Sequence, residues 1–113
     1  MMTLLHNNRC SKSREAVKYL EDRGVVFNVR YYLEDPLSEA ELRELLGWLG
    51  LSADKVLRKN EPEWKDHFSG KVLSEEDKIK ALLQYPKLLQ RPILIKREKA
   101  VVARPAEAME GLL

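Results

Sequence analysis

The apolar spacing predicts an α/β chain with a mixed four-stranded sheet, in the order β-α-β, a helical insert, then β-β-α. Three observations predict it. Within the first 32 residues an apolar run, a helical pattern and a β-branched, aromatic run succeed one another. Capped amphipathic segments fill the middle of the chain. Two short apolar runs then flank a charged turn near the end.

Residues 2–6 read as strand one. Residues 11–23 read as helix one, with Ala16, Val17 and Leu20 on one face and Gly24 as its stop. Ser11 and Ser13 are natural N-cap residues there. Residues 25–32, Val-Val-Phe-Asn-Val-Arg-Tyr-Tyr, read as strand two. A right-handed crossover makes strands one and two parallel.

Ser38-Glu39-Ala40-Glu41 is a capping box, and Leu42, Leu45, Leu46 and Leu49 continue it as an amphipathic helix to Gly50. Ser52 opens a short helix through Val56. Residues 57–60 form a basic turn, and residues 61–68 a short helix with Pro62 in its first turn. Ser69-Gly70 breaks it. Ser74 caps a further helix carrying Ile79, Leu82 and Leu83, which Pro86 closes. Ile93-Leu94-Ile95 after Pro92 is strand three, residues 96–99 a charged hairpin turn, and residues 100–103 strand four. Ala106, Met109, Leu112 and Leu113 fit a C-terminal helix. This order is the skeleton of the thioredoxin fold. We expect one domain over residues 1–113, with the helical insert at about 38–86.

Composition narrows the function. Hydrophobic residues make up 44% and charged residues 34%, which suits a globular protein rather than a disordered one. A net charge of +2 argues for no nucleic-acid partner. No 18-residue apolar run exists, so no membrane span is expected. The N-terminus lacks a basic-then-apolar leader pattern, which makes the cytoplasm the default location. One cysteine excludes an internal disulfide. With only His6 and His67 beside it, no ordinary structural zinc site is expected, and no bound cofactor.

That cysteine, Cys10, falls in the loop between strand one and helix one. A helix N-terminus favours an anion, and the thiolate is the reactive form of cysteine. Arg9, Lys12 and Arg14 add positive charge, and His6 is within reach from the strand end. Lowering a thiol pKa by roughly two units takes about 2.7 kcal/mol, which a helix N-terminus and one or two cations supply. On these residues alone Cys10 is either a nucleophile or a small residue packed under a helix. Arg58, Arg91 and Arg104 sit at element boundaries. In a thioredoxin-type fold the residue before the strand-three proline lies beside the cysteine loop, and that bond is commonly cis. Arg91 then points at Cys10. Guanidinium groups hold tetrahedral oxyanions by paired hydrogen bonds, whereas a surface arginine is otherwise merely solvated.

The sequence resembles the glutaredoxin-coupled arsenate reductases, the ArsC family, along its whole length. The anchors are His6 to Arg14, Tyr32-Leu33-Glu34, Leu57-Arg58-Lys59-Asn60, Pro86 to Ile93, and Arg104-Pro105-Ala106-Glu107. The resemblance implies Cys10 as the nucleophile that attacks arsenate and forms a thioarsenate adduct. It implies Arg58, Arg91 and Arg104 as the oxyanion-binding set and His6 as support for the thiolate. Ser13 stands where a Cys-x-x-Cys pair has its second cysteine; its hydroxyl either donates to the sulfur or caps helix one. Asn8 departs from the His-Asn-Pro of many members, and the segment around 68–73 is short. Arsenate reductases of the phosphatase-like type need a Cys-x5-Arg loop, and the sixth residue after Cys10 is Ala16. With one thiol in the chain, an external thiol must resolve the adduct. The resemblance implies glutathione as reducing co-substrate, followed by a glutaredoxin.

Three other readings compete. A redox regulator of the Spx type normally carries a Cys-x-x-Cys switch, which Ser13 removes. A monothiol glutaredoxin-like thiol transferase would use Cys10 to Ser13 as a Cys-x-x-Ser site. A scaffold with an inert cysteine would leave the Cys10 pKa unperturbed.

Overall fold

Strand β1, Met2–His6, has its last three residues buried, so both of its faces are covered. A strand of that kind belongs in the middle of a sheet. In the computed structural model, which describes residues 2–113, it lies there: the sheet order is β2-β1-β3-β4. Strand β2, Phe27–Tyr31, pairs parallel to β1, with Leu4 opposite Val29 and His6 opposite Tyr31. Strand β3, Ile93–Lys96, pairs antiparallel on the other side of β1, with Leu5 opposite Ile93. Strand β4, Lys99–Val102, closes a hairpin on β3. This mixed four-stranded α/β sheet is the predicted one.

The chain divides into two units. The first runs from the N-terminus through Asp35 and resumes with Arg91–Leu113. It holds the sheet and helix α1, Ser11–Asp22, which crosses over between β1 and β2. Its core is Leu4, Ala16, Leu20, Leu94, Ala103 and Met109, all at most 1% exposed. The second unit, Pro36–Gln90, carries α2 (Glu39–Leu49), α3 (Pro62–His67) and α4 (Glu75–Gln84), with 3-10 turns at Ala53–Val56 and Pro86–Leu88. The capping box is complete: Glu41 N–H donates to Ser38 Oγ at 3.1 Å, and Ser38 N–H donates to Glu41 Oε1 at 2.9 Å. Ser74 Oγ likewise accepts from Asp77 N–H, and Pro62 opens α3.

Three local expectations change. Strand two begins at Phe27 rather than Val25. Gly24, at φ +68°, ends α1 in a Schellman motif: its N–H donates to Glu21 O, and Val25 N–H donates to Leu20 O. That spends Val25 on the cap and leaves Val26 exposed. The N-cap of α1 is Cys10, so Ser11 and Ser13 lie inside the helix instead of capping it. The C-terminal helix is a 3-10 helix, Ala106–Leu112. Its inward residues Ala106, Met109 and Leu112 recur every third position, which suits three residues per turn.

No described helix is long and apolar enough to cross a membrane. Core burial decides stability here. Leu94→Ala is expected to lower the unfolding free energy by about 2–5 kcal/mol. Val26→Ala, at a site 73% exposed, is expected to change it by no more than about 0.5 kcal/mol. Urea unfolding followed by circular dichroism checks both.

Candidate active site

Four residues, Asn7 to Cys10, connect β1 to α1. Backbone geometry holds this loop tightly. Cys10 N–H donates to Asn7 O at 3.0 Å, and Arg9 N–H donates to Asn7 Oδ1 at 3.0 Å. Arg14 N–H donates to Cys10 O at 3.1 Å and starts the helix. Arg14 Nη1 also donates to Asn8 O at 2.9 Å. Ser13 is fully buried, and its Oγ accepts from Asn7 N–H at 3.4 Å. One helix residue thus ties down the far end of the loop.

Cys10 occupies the N-cap with extended backbone (φ −97°, ψ 122°) and is half-buried. No capping hydrogen bond of ordinary geometry reaches its side chain. Burial pushes the thiol pKa up, but three groups outweigh burial and bring it below the ordinary value. They are the Ser13 N–H, the Arg91 guanidinium and the Lys12 N–H. Lys12 and Ser13 are the second and third residues of α1, the positions whose N–H groups a capping oxygen usually satisfies. Here the sulfur faces them, and negative charge on sulfur is what they stabilise.

Arg91 is 91% buried, and Arg104 Nη1 donates to its backbone carbonyl at 3.2 Å. Both the Arg91–Pro92 and Arg104–Pro105 bonds are cis. Cys10, Ser13, Arg91 and Arg104 therefore lie in one unit. His6 belongs to it too, at the buried end of β1. Its Nε2 donates to Asn8 Oδ1 at 3.2 Å, and its ring meets Tyr31 edge-on at 5.7 Å. Burial lowers the His6 pKa, and the charge of Arg14 adds to that; the Asn8 bond works the other way. The cation that favours the Cys10 thiolate is Arg91.

Arg58 stands in the second unit. Its Nε donates to Glu61 Oε1 at 3.1 Å and its Nη1 to Gln90 Oε1 at 3.2 Å. The sequence assigns no site role to Glu61 or Gln90, although Gln90 falls within the Pro86 to Ile93 anchor. Only the i, i+3 spacing from Arg58 to Glu61 signalled the first, and nothing local signalled the second. Among the described residues, no three His, Cys, Asp or Glu side chains cluster to hold a metal ion.

Cys10 alkylation by iodoacetamide is expected to show a pH midpoint below the about 8.5 of an ordinary thiol. Arg91→Ala should raise that midpoint without restoring the ordinary value, since the two N–H groups remain. The folded-state pKa lies below the unfolded one. The thiolate therefore contributes stability above the unfolded pKa, and this is lost as pH falls through the folded pKa. Cys10→Ser should flatten that pH dependence in urea titrations.

The ArsC family profile matches residues 5–112. The uncharacterized protein YfgD of Escherichia coli K12 is 43% identical over 106 residues, covering 92% of this chain and 89% of its own. An arsenate reductase of Neisseria meningitidis serogroup A is 38% identical over 112 residues, covering 97% and 96%. The solved structure of arsenate reductase from Vibrio cholerae superposes with a TM-score of 0.93 at 35% identity, covering 99% of this chain and 97% of that one. The match along nearly the whole chain, in sequence and in fold, makes this protein a member of the ArsC family.

Proposed function

We propose that this protein reduces arsenate to arsenite, with Cys10 as the nucleophile and glutathione and glutaredoxin as the source of electrons. The observation that carries the reading is the Cys10 sulfur at the start of α1, facing two backbone N–H groups and the Arg91 guanidinium. Membership of a family that includes arsenate reductases supports arsenate as the substrate.

The Cys10 thiolate attacks As(V), and an arsenic-bound oxygen leaves as water. The product is a thioarsenate joined through an S–As bond. Arg91 stands beside the sulfur, where it opposes the charge of the incoming oxyanion. Arg104, which donates to the Arg91 backbone carbonyl, is assigned to the oxyanion on the family resemblance. Arg58 is assigned on the family resemblance. Planar, permanently charged forks suit a tetrahedral oxyanion better than lysine does. His6 and Ser13 support the loop that carries the sulfur.

A glutathione thiolate then attacks the Cys10 sulfur. The electrons of the S–As bond pass to arsenic, which leaves as As(III), arsenite. Two thiol sulfurs have supplied two electrons, and Cys10 is left in a mixed disulfide with glutathione. Glutaredoxin takes the glutathionyl group and restores the thiolate. Such a cycle requires a reducing compartment, and the cytoplasm is the compartment this reading proposes.

The test is arsenite formation in two arms. One supplies glutathione and glutaredoxin; the other supplies thioredoxin with its reductase and no glutathione. Turnover is expected in the first arm and not in the second. Equal rates in both would discard the glutathione step. No arsenite in either arm, with Cys10 still reactive below the ordinary thiol pKa, would discard arsenate as substrate. Within the active arm, Cys10→Ser should abolish turnover. Arg91→Lys, which keeps the charge and loses the fork, should lower kcat/KM by about tenfold or more.

A further inference from the structure

Arg58 is held in a way that its sequence position does not disclose. The backbone first brings two distant segments together. Leu57 and Leu89 form an isolated antiparallel bridge. Arg58 N–H donates to Leu88 O at 2.7 Å, and Gln90 N–H donates to Val56 O at 2.8 Å. These bonds set Gln90 beside Arg58 although 32 positions separate them. Glu61 reaches Arg58 from the other direction. It is the N-cap residue of α3, its N–H donates to Arg58 O at 3.3 Å, and Pro62 begins the helix immediately after it.

The side chains complete the clamp. Glu61 Oε1 accepts from Nε at 3.1 Å, and Gln90 Oε1 accepts from Nη1 at 3.2 Å. The ion pair is mostly shielded, with Arg58 and Glu61 side chains 22% and 18% exposed. Two acceptors on two different nitrogens of one planar group fix both its position and the tilt of its plane. Among the described residues, Nη2 is the guanidinium nitrogen that donates to no protein acceptor.

We infer that Glu61 and Gln90 are positioning residues that hold the Arg58 guanidinium with its Nη2 group turned out to receive a tetrahedral oxyanion. The inference rests on the proposed assignment of Arg58 to the oxyanion. An arginine on a flexible stem must lose rotamer freedom when it binds an anion, and one already clamped has lost it. Glu61 serves through the hydrogen bond its oxygen accepts. An amide oxygen in the same place accepts equally well and removes the carboxylate charge, which opposes an anion. Glu61→Gln should therefore preserve the function and Glu61→Ala should destroy it.

The test uses the full chain, inorganic phosphate as probe, and two readouts. The first is the exchange rate of the Arg58 Nε proton with solvent, followed by nuclear magnetic resonance. The second is phosphate affinity by titration of the same signals. In the wild type the proton should exchange at least about tenfold more slowly than that of an exposed arginine. Glu61→Ala and Gln90→Ala should each speed exchange and weaken phosphate binding by up to about tenfold, the cost of ordering a side chain that is no longer clamped. Glu61→Gln should hold both within about threefold of wild type.

An Arg58 Nε proton that exchanges in the wild type like an exposed arginine overturns the inference without any variant. So does a Glu61→Gln protein as impaired as Glu61→Ala, since charge and not orientation would then be at work. Unchanged phosphate binding in Glu61→Ala and Gln90→Ala overturns it when Arg58→Ala does weaken binding. Phosphate affinity unchanged in Arg58→Ala is a separate outcome. It removes Arg58 from the oxyanion set and takes the inference with it.

Discussion

Desolvation opposes the charged form of Cys10, and the surroundings of the sulfur are arranged against that opposition. The arrangement begins in the sheet. Because β1 is a central strand with a parallel neighbour, the chain must leave its end and cross over through a helix. The loop at that exit is four residues long, so the start of the helix cannot stray from the end of the strand. Cys10 falls on the N-cap, and the unsatisfied N–H groups of the first turn face it. The same strand order delivers Arg91, because β3 pairs on the other side of β1 and Arg91 directly precedes the proline that opens it. Sheet topology thus places both the sulfur and its cation.

The arginines illustrate two ways of keeping a guanidinium in place. Arg91 is buried, where packing restricts it, and it accepts through its carbonyl a bond from Arg104. Arg58 is less buried and is held by acceptors on two of its nitrogens. The exposed pairs of this chain contrast with both. Lys18 with Asp22 and Lys12 with Glu15 follow helical spacing on the surface, where solvent screens them and they contribute little. A charged pair fixes a side chain only when burial or a second hydrogen bond prevents it from rotating away.

Much of this was legible along the chain because the signals are local. The capping box at Ser38, the proline of α3 and the β-α-β pattern each depend on residues within one turn or one strand. The errors arose where a neighbouring element competed. Val25 has a strand former's side chain, but the Schellman motif around Gly24 claims its N–H. Ser13 is a good cap by type, yet its register puts it two residues inside α1, where its buried hydroxyl serves Asn7. The 3-10 helix at the C-terminus was written in the spacing of Ala106, Met109 and Leu112, which is three and not three to four. Arg58 could be suspected from the sequence, but the bridge that brings Gln90 to it is set by backbone pairing across a segment that contains α3 and α4, and it has no local trace.

Ser13 carries one further consequence. Its N–H favours the Cys10 thiolate while its oxygen accepts from Asn7, so a single residue braces both the sulfur and the start of the loop. A cysteine side chain in that position would have offered an internal partner for Cys10. Serine keeps the bracing and removes the partner, since a hydroxyl neither forms a disulfide nor yields electrons to one. Cys10 is the only sulfur of its kind in the chain. Any disulfide that Cys10 forms must therefore take its second sulfur from another molecule. Cys10 is only half-buried, although Ser13 one turn away is fully enclosed. The fold encloses the residue that braces the loop and leaves the cysteine partly open to solvent.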